Sequence, residues 1–197
     1  MTENLLLRME QRDDASAISA LLTEAFPDGP EARLVERLRR EARPYLGWIA
    51  ERGGQVVGHI LFTPVRCESD PEARLFGLGP MAVAPAFQGR GIGTRLGHAG
   101  LAAAGDTGAR AVVVLGHPDY YPRFGFQPAS TAGLRCAWDV PNEAFMIRPL
   151  NGDGLEGLSG IIEYHPAFSE VSEAEETRHR YELARRLEGT GPCPKMG

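Results

Sequence analysis

The chain opens on a short apolar run, Leu5–Met9, that reads as a strand. Asp13 or Asp14 then offers an N-cap. Ile18, Leu21, Leu22 and Ala25 recur at helical spacing, and Pro27-Asp28-Gly29-Pro30 stops the helix. A second helix is predicted from about Glu31 to Glu41, with Leu34, Val35 and Leu38 inward. The period then shortens. Leu46–Glu51 and Gln55–Val65 are apolar runs joined by Arg52-Gly53-Gly54, a tight-hairpin signal. After the polar stretch Glu68–Glu72 comes another strand, Leu75–Val83. This part of the sheet is expected to be antiparallel, built from successive hairpins.

Past Val83 a glycine-rich stretch leads into a helix to about Ala104, with Ile92, Leu96, Ala99 and Ala103 on one face. Gly105 and Gly108 are expected to end it. Ala111–Leu115 is a continuous β-branched run of the kind buried on both faces. Residues 75–115 therefore read as a crossover between two roughly parallel strands. Pro122 fits a helix only within its first turn, so a short helix is predicted to start near Asp119 and end at Gly125. Phe126–Pro128, Ala144–Arg148 and Gly160–Tyr164 read as further strands. Ser172 and Glu175 carry the S-x-x-E capping pattern, opening a polar helix to about Leu187, and Gly189–Gly197 reads as a disordered tail.

Composition narrows the function classes. The 197 residues carry a formal charge of −5, which speaks against a general nucleic-acid binder. No stretch approaches the ~20 apolar residues of a membrane helix. The polar start Met1-Thr2-Glu3-Asn4 is unlike a signal peptide, so a cytoplasmic protein is expected. Cys67, Cys136 and Cys193 fit no zinc or redox spacing, and no metal is expected.

The sharpest chemical signal is Gln88-Gly89-Arg90-Gly91-Ile92-Gly93-Thr94, between a strand and a helix. Small residues there let a ligand approach the backbone, and the free N–H groups and dipole of a helix start attract a phosphate. Arg90 and Arg95 could add charge. The Walker pattern fails, because no Gly-Lys-Ser/Thr follows. The dinucleotide fingerprint fails as well, because Leu96 and Thr94 stand where its third glycine belongs.

Gln88-x-x-Gly91-x-Gly93 resembles the Q/R-x-x-G-x-G/A loop of the GNAT superfamily of N-acetyltransferases, and Tyr121-Pro122-Arg123-Phe124-Gly125-Phe126 resembles its Tyr-x-x-x-Gly-Phe signature. Leu78-Gly79-Pro80-Met81-Ala82-Val83 and the Tyr-Tyr-x-x-Phe-Gly-Phe ending look most like the YhbS-like bacterial branch. The resemblance covers roughly residues 5–150. It implies an α/β fold: a mostly antiparallel mixed sheet with one splayed parallel strand pair, flanked by helices. It implies a first domain over 1–150, leaving 151–188 as an extension packed on or beside it. It also implies acetyl-CoA as cosubstrate. The pyrophosphate would be held at Gln88, Gly89, Arg90, Gly91, Ile92, Gly93 and Thr94, and the pantetheine arm along Met81, Ala82 and Val83. Pro80 gives that arm a physical reason, since a residue without an N–H disturbs ladder pairing, although it could also simply mark a bulge or an edge.

Acyl transfer to an amine needs a base to free the nitrogen lone pair, a donor for the oxyanion, and an acid for the departing thiolate. A backbone N–H near Met81 or Val83 could be the donor, and Tyr121 matches the family's acid. The base stays open. Phe76–Gly79 offers no carboxylate where several relatives carry a glutamate, leaving His59, His117, Asp119 and Glu31 as candidates. Gly116-His117-Pro118 also replaces the Asn-x-x-Ala lead of many members. The expected acceptor is an amine on a small molecule or peptide, and the protein is expected to be a monomer or homodimer with no membrane partner. The alternative is a non-catalytic acyl-CoA sensor on the same fold.

Overall fold

A computed structural model describes residues 4–27 and 29–169. The helix read from Ser172 and the tail from Gly189 lie outside these residues. Nine strands form one sheet: β1 Leu5–Met9, β2 Leu46–Arg52, β3 Gln55–Cys67, β4 Leu75–Val83, β5 Ala111–Leu115, β6 Gln127–Pro128, β7 Leu134–Cys136, β8 Phe145–Pro149 and β9 Gly160–Glu163. Among the described residues three α-helices accompany them: α1 Ala15–Ala25, α2 Glu31–Glu41 and α3 Ile92–Asp106.

The main path runs β1-β2-β3-β4-β5-β8-β6. Strands β1 to β4 pair antiparallel in chain order, β1 with β2 across the two intervening helices and β2, β3 and β4 through short connections, and β4 and β5 pair parallel across α3, as the hydrophobic pattern implies. β9 pairs with the far end of β3 and, parallel, with β7. Sequence reading missed β7, because three residues carry too little periodicity to register.

Side-chain alternation divides the core. In β5, Val112 and Val114 face α3, joined there by Phe62, Phe76, Leu78 and Leu96. Ala111 and Val113 face the other way, with Val65, Leu75, Ile147 and Ile162. On that second side, α1 and α2 cover the sheet through Ile18, Leu22, Val35 and Leu38 against Ile49 and Leu61. Ala167 and Phe168, just after β9, complete this packing.

Helix α3 lies close on the sheet because glycines face large side chains. A Cβ at Gly100 would overlap the Phe62 ring, and one at Gly97 would lie 2.7 Å from Phe124 Cζ. Gly100→Ala is therefore expected to destabilise the fold by about 1–3 kcal/mol, the usual cost of overpacking, read as a lower urea midpoint at unchanged slope.

Some boundaries differ from expectation. Asp14 does not cap α1 with its side chain. Its carboxylate instead accepts the Gln11 N–H at 2.7 Å and a forked pair from Arg8 at 2.7 and 2.8 Å, within a 3₁₀ turn over Arg12–Asp14. The bidentate arginine outcompetes the helix N–H groups for this carboxylate. α3 runs on through Gly105 and stops before Gly108, which takes the left-handed conformation. The helix expected near Asp119 is a 3₁₀ turn over Tyr121–Phe124, closed by Gly125. Pro122 sits in its first turn, where a missing N–H costs nothing.

Candidate active site

The site is organised by how β4 leaves its neighbours. Its parallel pairing with β5 runs from Leu75 opposite Ala111 to Leu78 opposite Val114 and ends there. On the other side, Gly79 and Pro80 together stand opposite Leu61, a bulge in the β3 ladder. Pairing resumes with Met81 opposite Ile60 and continues to Val83 opposite Gly58. Met81–Val83 is thus hydrogen-bonded along one edge, while among the described residues no strand lies against the edge turned toward the end of β5. The bulge at Pro80 and the end of the β5 pairing produce the splay at the same point.

The glycine loop continues from that strand. Gln88 Nε2 donates to Val83 O at 3.0 Å and closes the loop onto β4. Gly89 and Gly91 both take positive φ, 72° and 76°, and Gly91 is the residue that starts α3. This left-handed backbone is what demands glycine there, since a Cβ at either position would meet no atom within 4 Å. The first bond of the helix ladder runs from Arg95 N–H to Gly91 O, so the N–H groups of Ile92, Gly93 and Thr94 lie ahead of it. The Arg90 and Arg52 guanidinium groups each lie 5.6 Å from the Phe87 ring centroid, bringing two cations beside the helix start. The Phe87 ring and the hairpin Arg52 carry no local motif, which is why the sequence alone did not place them here.

Tyr121 and Tyr120 stand edge to face at 5.2 Å in the turn after β5. A Cβ at Gly93 would come 2.7 Å from Tyr120 Oη, so Tyr120 packs against the first turn of α3. The Tyr121 ring lies over Gly116 and is 5.7 Å from Phe126 and 6.2 Å from Phe124. Enclosure raises its phenol above the ordinary range, with a further push from Tyr120, so the hydroxyl is protonated at neutral pH.

The other expected residues are scattered. His59 lies on β3 opposite Ala82, fully buried, its Nε2 2.8 Å from Glu10. Burial lowers its pKa against the pull of Glu10. His117 and Asp119 are exposed in the turn after β5. Glu31 begins α2, is only 6% exposed, and has a buried Oε2 with no hydrogen-bond partner among the described residues. It is linked to the splay through packing: α2 contacts the turn Pro166–Phe168, and Phe168 comes within 3.8 Å of a Cβ at Gly79. Among the described residues, no cluster of three or more His, Cys, Asp or Glu could hold a metal.

Comparison with known proteins agrees with this architecture. The acetyltransferase (GNAT) family model matches residues 13–126. The uncharacterized N-acetyltransferase YhbS of Escherichia coli K12 is 38% identical over 84% of this chain and 99% of its own length. The crystal structure of E. coli YhbS in complex with CoA superposes with a TM-score of 0.81 at 37% identity, covering 86% of this chain and 94% of that one. A GNAT acetyltransferase from Brucella melitensis in complex with acetyl-CoA gives 0.69 at 34% identity, over 84% and 99%. With a family model over more than half its length and relatives this similar over more than four fifths of it, the chain belongs to the GNAT family of acetyltransferases.

Proposed function

We propose that the protein binds acetyl-CoA along β4 and the glycine loop and transfers its acetyl group to a primary amine of a small molecule or peptide. The observation that carries this reading is the unpaired edge of Met81–Val83 running directly into the N–H groups at the start of α3. An extended amide-bearing arm finds ladder partners on that edge, and a pyrophosphate finds donors and the positive end of the helix dipole. Both fit what the cosubstrate carries, and it supplies an activated acyl group at the end of the arm.

In this assignment Gln88, Gly89, Arg90, Gly91, Ile92, Gly93 and Thr94 hold the phosphates, and Met81, Ala82 and Val83 align the arm. The acceptor nitrogen gives up a proton, bonds to the acyl carbon, and the carbon–sulfur bond breaks. Tyr121 donates its phenolic proton to the departing sulfur. Of the base candidates, Glu31 is the one the geometry favours, because its orphan carboxylate oxygen is costly to bury unless a cation comes to it. His59 is committed to Glu10, and His117 and Asp119 stand in solvent.

Calorimetric binding of CoA and acetyl-CoA, with thiol release measured over a panel of primary amines, tests this function. Binding with acceptor-dependent turnover is expected. Tight binding with no turnover across the panel would support the sensor alternative. Gly91→Ala, forced into a left-handed backbone that costs about 1–2 kcal/mol, is expected to weaken CoA binding roughly 5–30-fold, read in the same calorimeter.

A further inference from the structure

Tyr164 follows β9, outside both signatures that mark the site. Its ring crosses the sheet on the face away from α3. A Cβ at Gly77, the residue just before the last β4–β5 pair, would lie 2.6 Å from Tyr164 Cε1 and 2.8 Å from Val65 Cγ1. Glycine at position 77 is therefore the room in which this ring lies. Trp138 stacks on it at 5.2 Å with planes 17° apart, and Phe145 and Phe168 meet it edge to face. The ring is well anchored, but its hydroxyl is not. Oη is buried beside the Leu115 backbone, whose N–H can only donate toward it, so among the described residues the hydroxyl's own proton has no acceptor. Leu115 is the last residue of β5, where β4 and β5 have parted. Tyr121 and Cys136 are within electrostatic reach of the same hydroxyl.

A buried hydroxyl with no partner costs about 1–3 kcal/mol. Such an orphan beside the point where the β4–β5 pairing ends points to a partner that arrives with the ligand. The arm proposed above runs from the glycine loop back along Val83, Ala82 and Met81, so its tip reaches Gly79 and the gap beside Leu115. The reactive end of the arm is then the group nearest Oη.

We propose that the Tyr164 hydroxyl donates a hydrogen bond to the acyl oxygen of the bound thioester, making Tyr164 a second tyrosine of the site, on the sheet face opposite Tyr121. The assignment rests on the cosubstrate reading above. It gives the free enzyme an unsatisfied donor that only the acylated form of the cosubstrate satisfies, so the site distinguishes acetyl-CoA from the CoA product.

Tyr164→Phe tests it, because phenylalanine keeps every ring contact and removes only the orphan group. Affinity for acetyl-CoA is expected to fall about 5–10-fold while affinity for CoA stays the same, the loss of one neutral hydrogen bond. The melting temperature is expected to hold or rise, since no partner is lost in the free protein. Turnover with any amine active in the panel is expected to drop about 10²-fold. A variant that binds acetyl-CoA and CoA in the wild-type ratio would overturn the assignment and leave the function intact. Equal weakening toward both ligands, or a lowered melting temperature, would instead make Tyr164 a packing residue. Failure of the wild-type protein to bind acetyl-CoA would overturn the cosubstrate reading and this proposal together.

Discussion

Tyr121→Phe is expected to lower turnover about 10²–10³-fold while CoA affinity stays within about twofold. The contacts that place the side chain belong to its ring: Gly116 beneath it, Tyr120 and Phe126 at its edges, and Phe124 tilted beside it. The phenylalanine ring keeps all of these, so the variant should fold and bind as before. What it loses is the phenolic proton that, in the role proposed for Tyr121, passes to the departing thiolate. Steady-state turnover beside calorimetric CoA binding measures the split. Equal losses in rate and affinity would mean that the hydroxyl only binds, and the acid would have to be sought elsewhere.

Glu10→Ala is expected to cost about 3–5 kcal/mol of stability, the usual effect of stripping one partner from a buried ion pair. Glu10 ties four elements together, two of them through its carboxylate. Arg39 of α2 grips it in a fork at 2.9 and 2.8 Å, and His59 of β3 meets it at 2.8 Å. Its backbone N–H donates to Gly47 O of β2 at 2.9 Å, directly after β1 ends. Because a carboxylate only accepts, the proton of His59 sits on Nε2, leaving Nδ1 buried with no partner among the described residues. Chemical denaturation of the variant measures the loss.

The same group sets an acid limit. Burial alone would push the Glu10 carboxyl up, but hydrogen bonds from His59 and Arg39 hold it down at about 2, against 4.5 unperturbed. A carboxylate lowered in the folded state contributes its stability above its unfolded pKa and loses it as pH falls through the folded one. Roughly 3 kcal/mol should therefore drain away between about pH 5 and pH 2. His59 works in the same direction at higher pH. Burial keeps it neutral, so the unfolded chain takes up a proton first as pH falls below about 6.5. Urea midpoints measured across this range should decline with acid in the wild type, and the step below pH 5 should be absent in Glu10→Gln.

Much of this fold is legible in the sequence because the determining patterns are local. The switch from helical to strand period after Glu41, the Arg52-Gly53-Gly54 hairpin and the glycine loop each lie within a few residues, and the mixed sheet follows from their order. Interactions between distant residues were not legible. Glu10 and His59 are 49 positions apart, and nothing near either one announces the other. Strand position makes His59 a candidate base, while the structure engages its imidazole in that buried cluster. Tyr164 read only as the end of a strand, because Gly77, the residue that makes room for its ring, lies in a different hairpin. Asp14 has the sequence of a helix cap but serves Arg8, which no local propensity could reveal.

The glycine loop and the open edge of β4 have a consequence for how such a protein can change over generations. What they offer a ligand is mostly main chain: the N–H groups of Ile92, Gly93 and Thr94, and the free edge of Met81–Val83. Main-chain atoms are the same whatever residue supplies them, so side chains along this stretch can drift provided Gly89 and Gly91 keep their left-handed turns. The residues proposed above to act through side chains, Glu31, Tyr121 and Tyr164, come from three other segments of the chain. A descendant could exchange those residues for a new acceptor without rebuilding the grip on the constant half of the reaction.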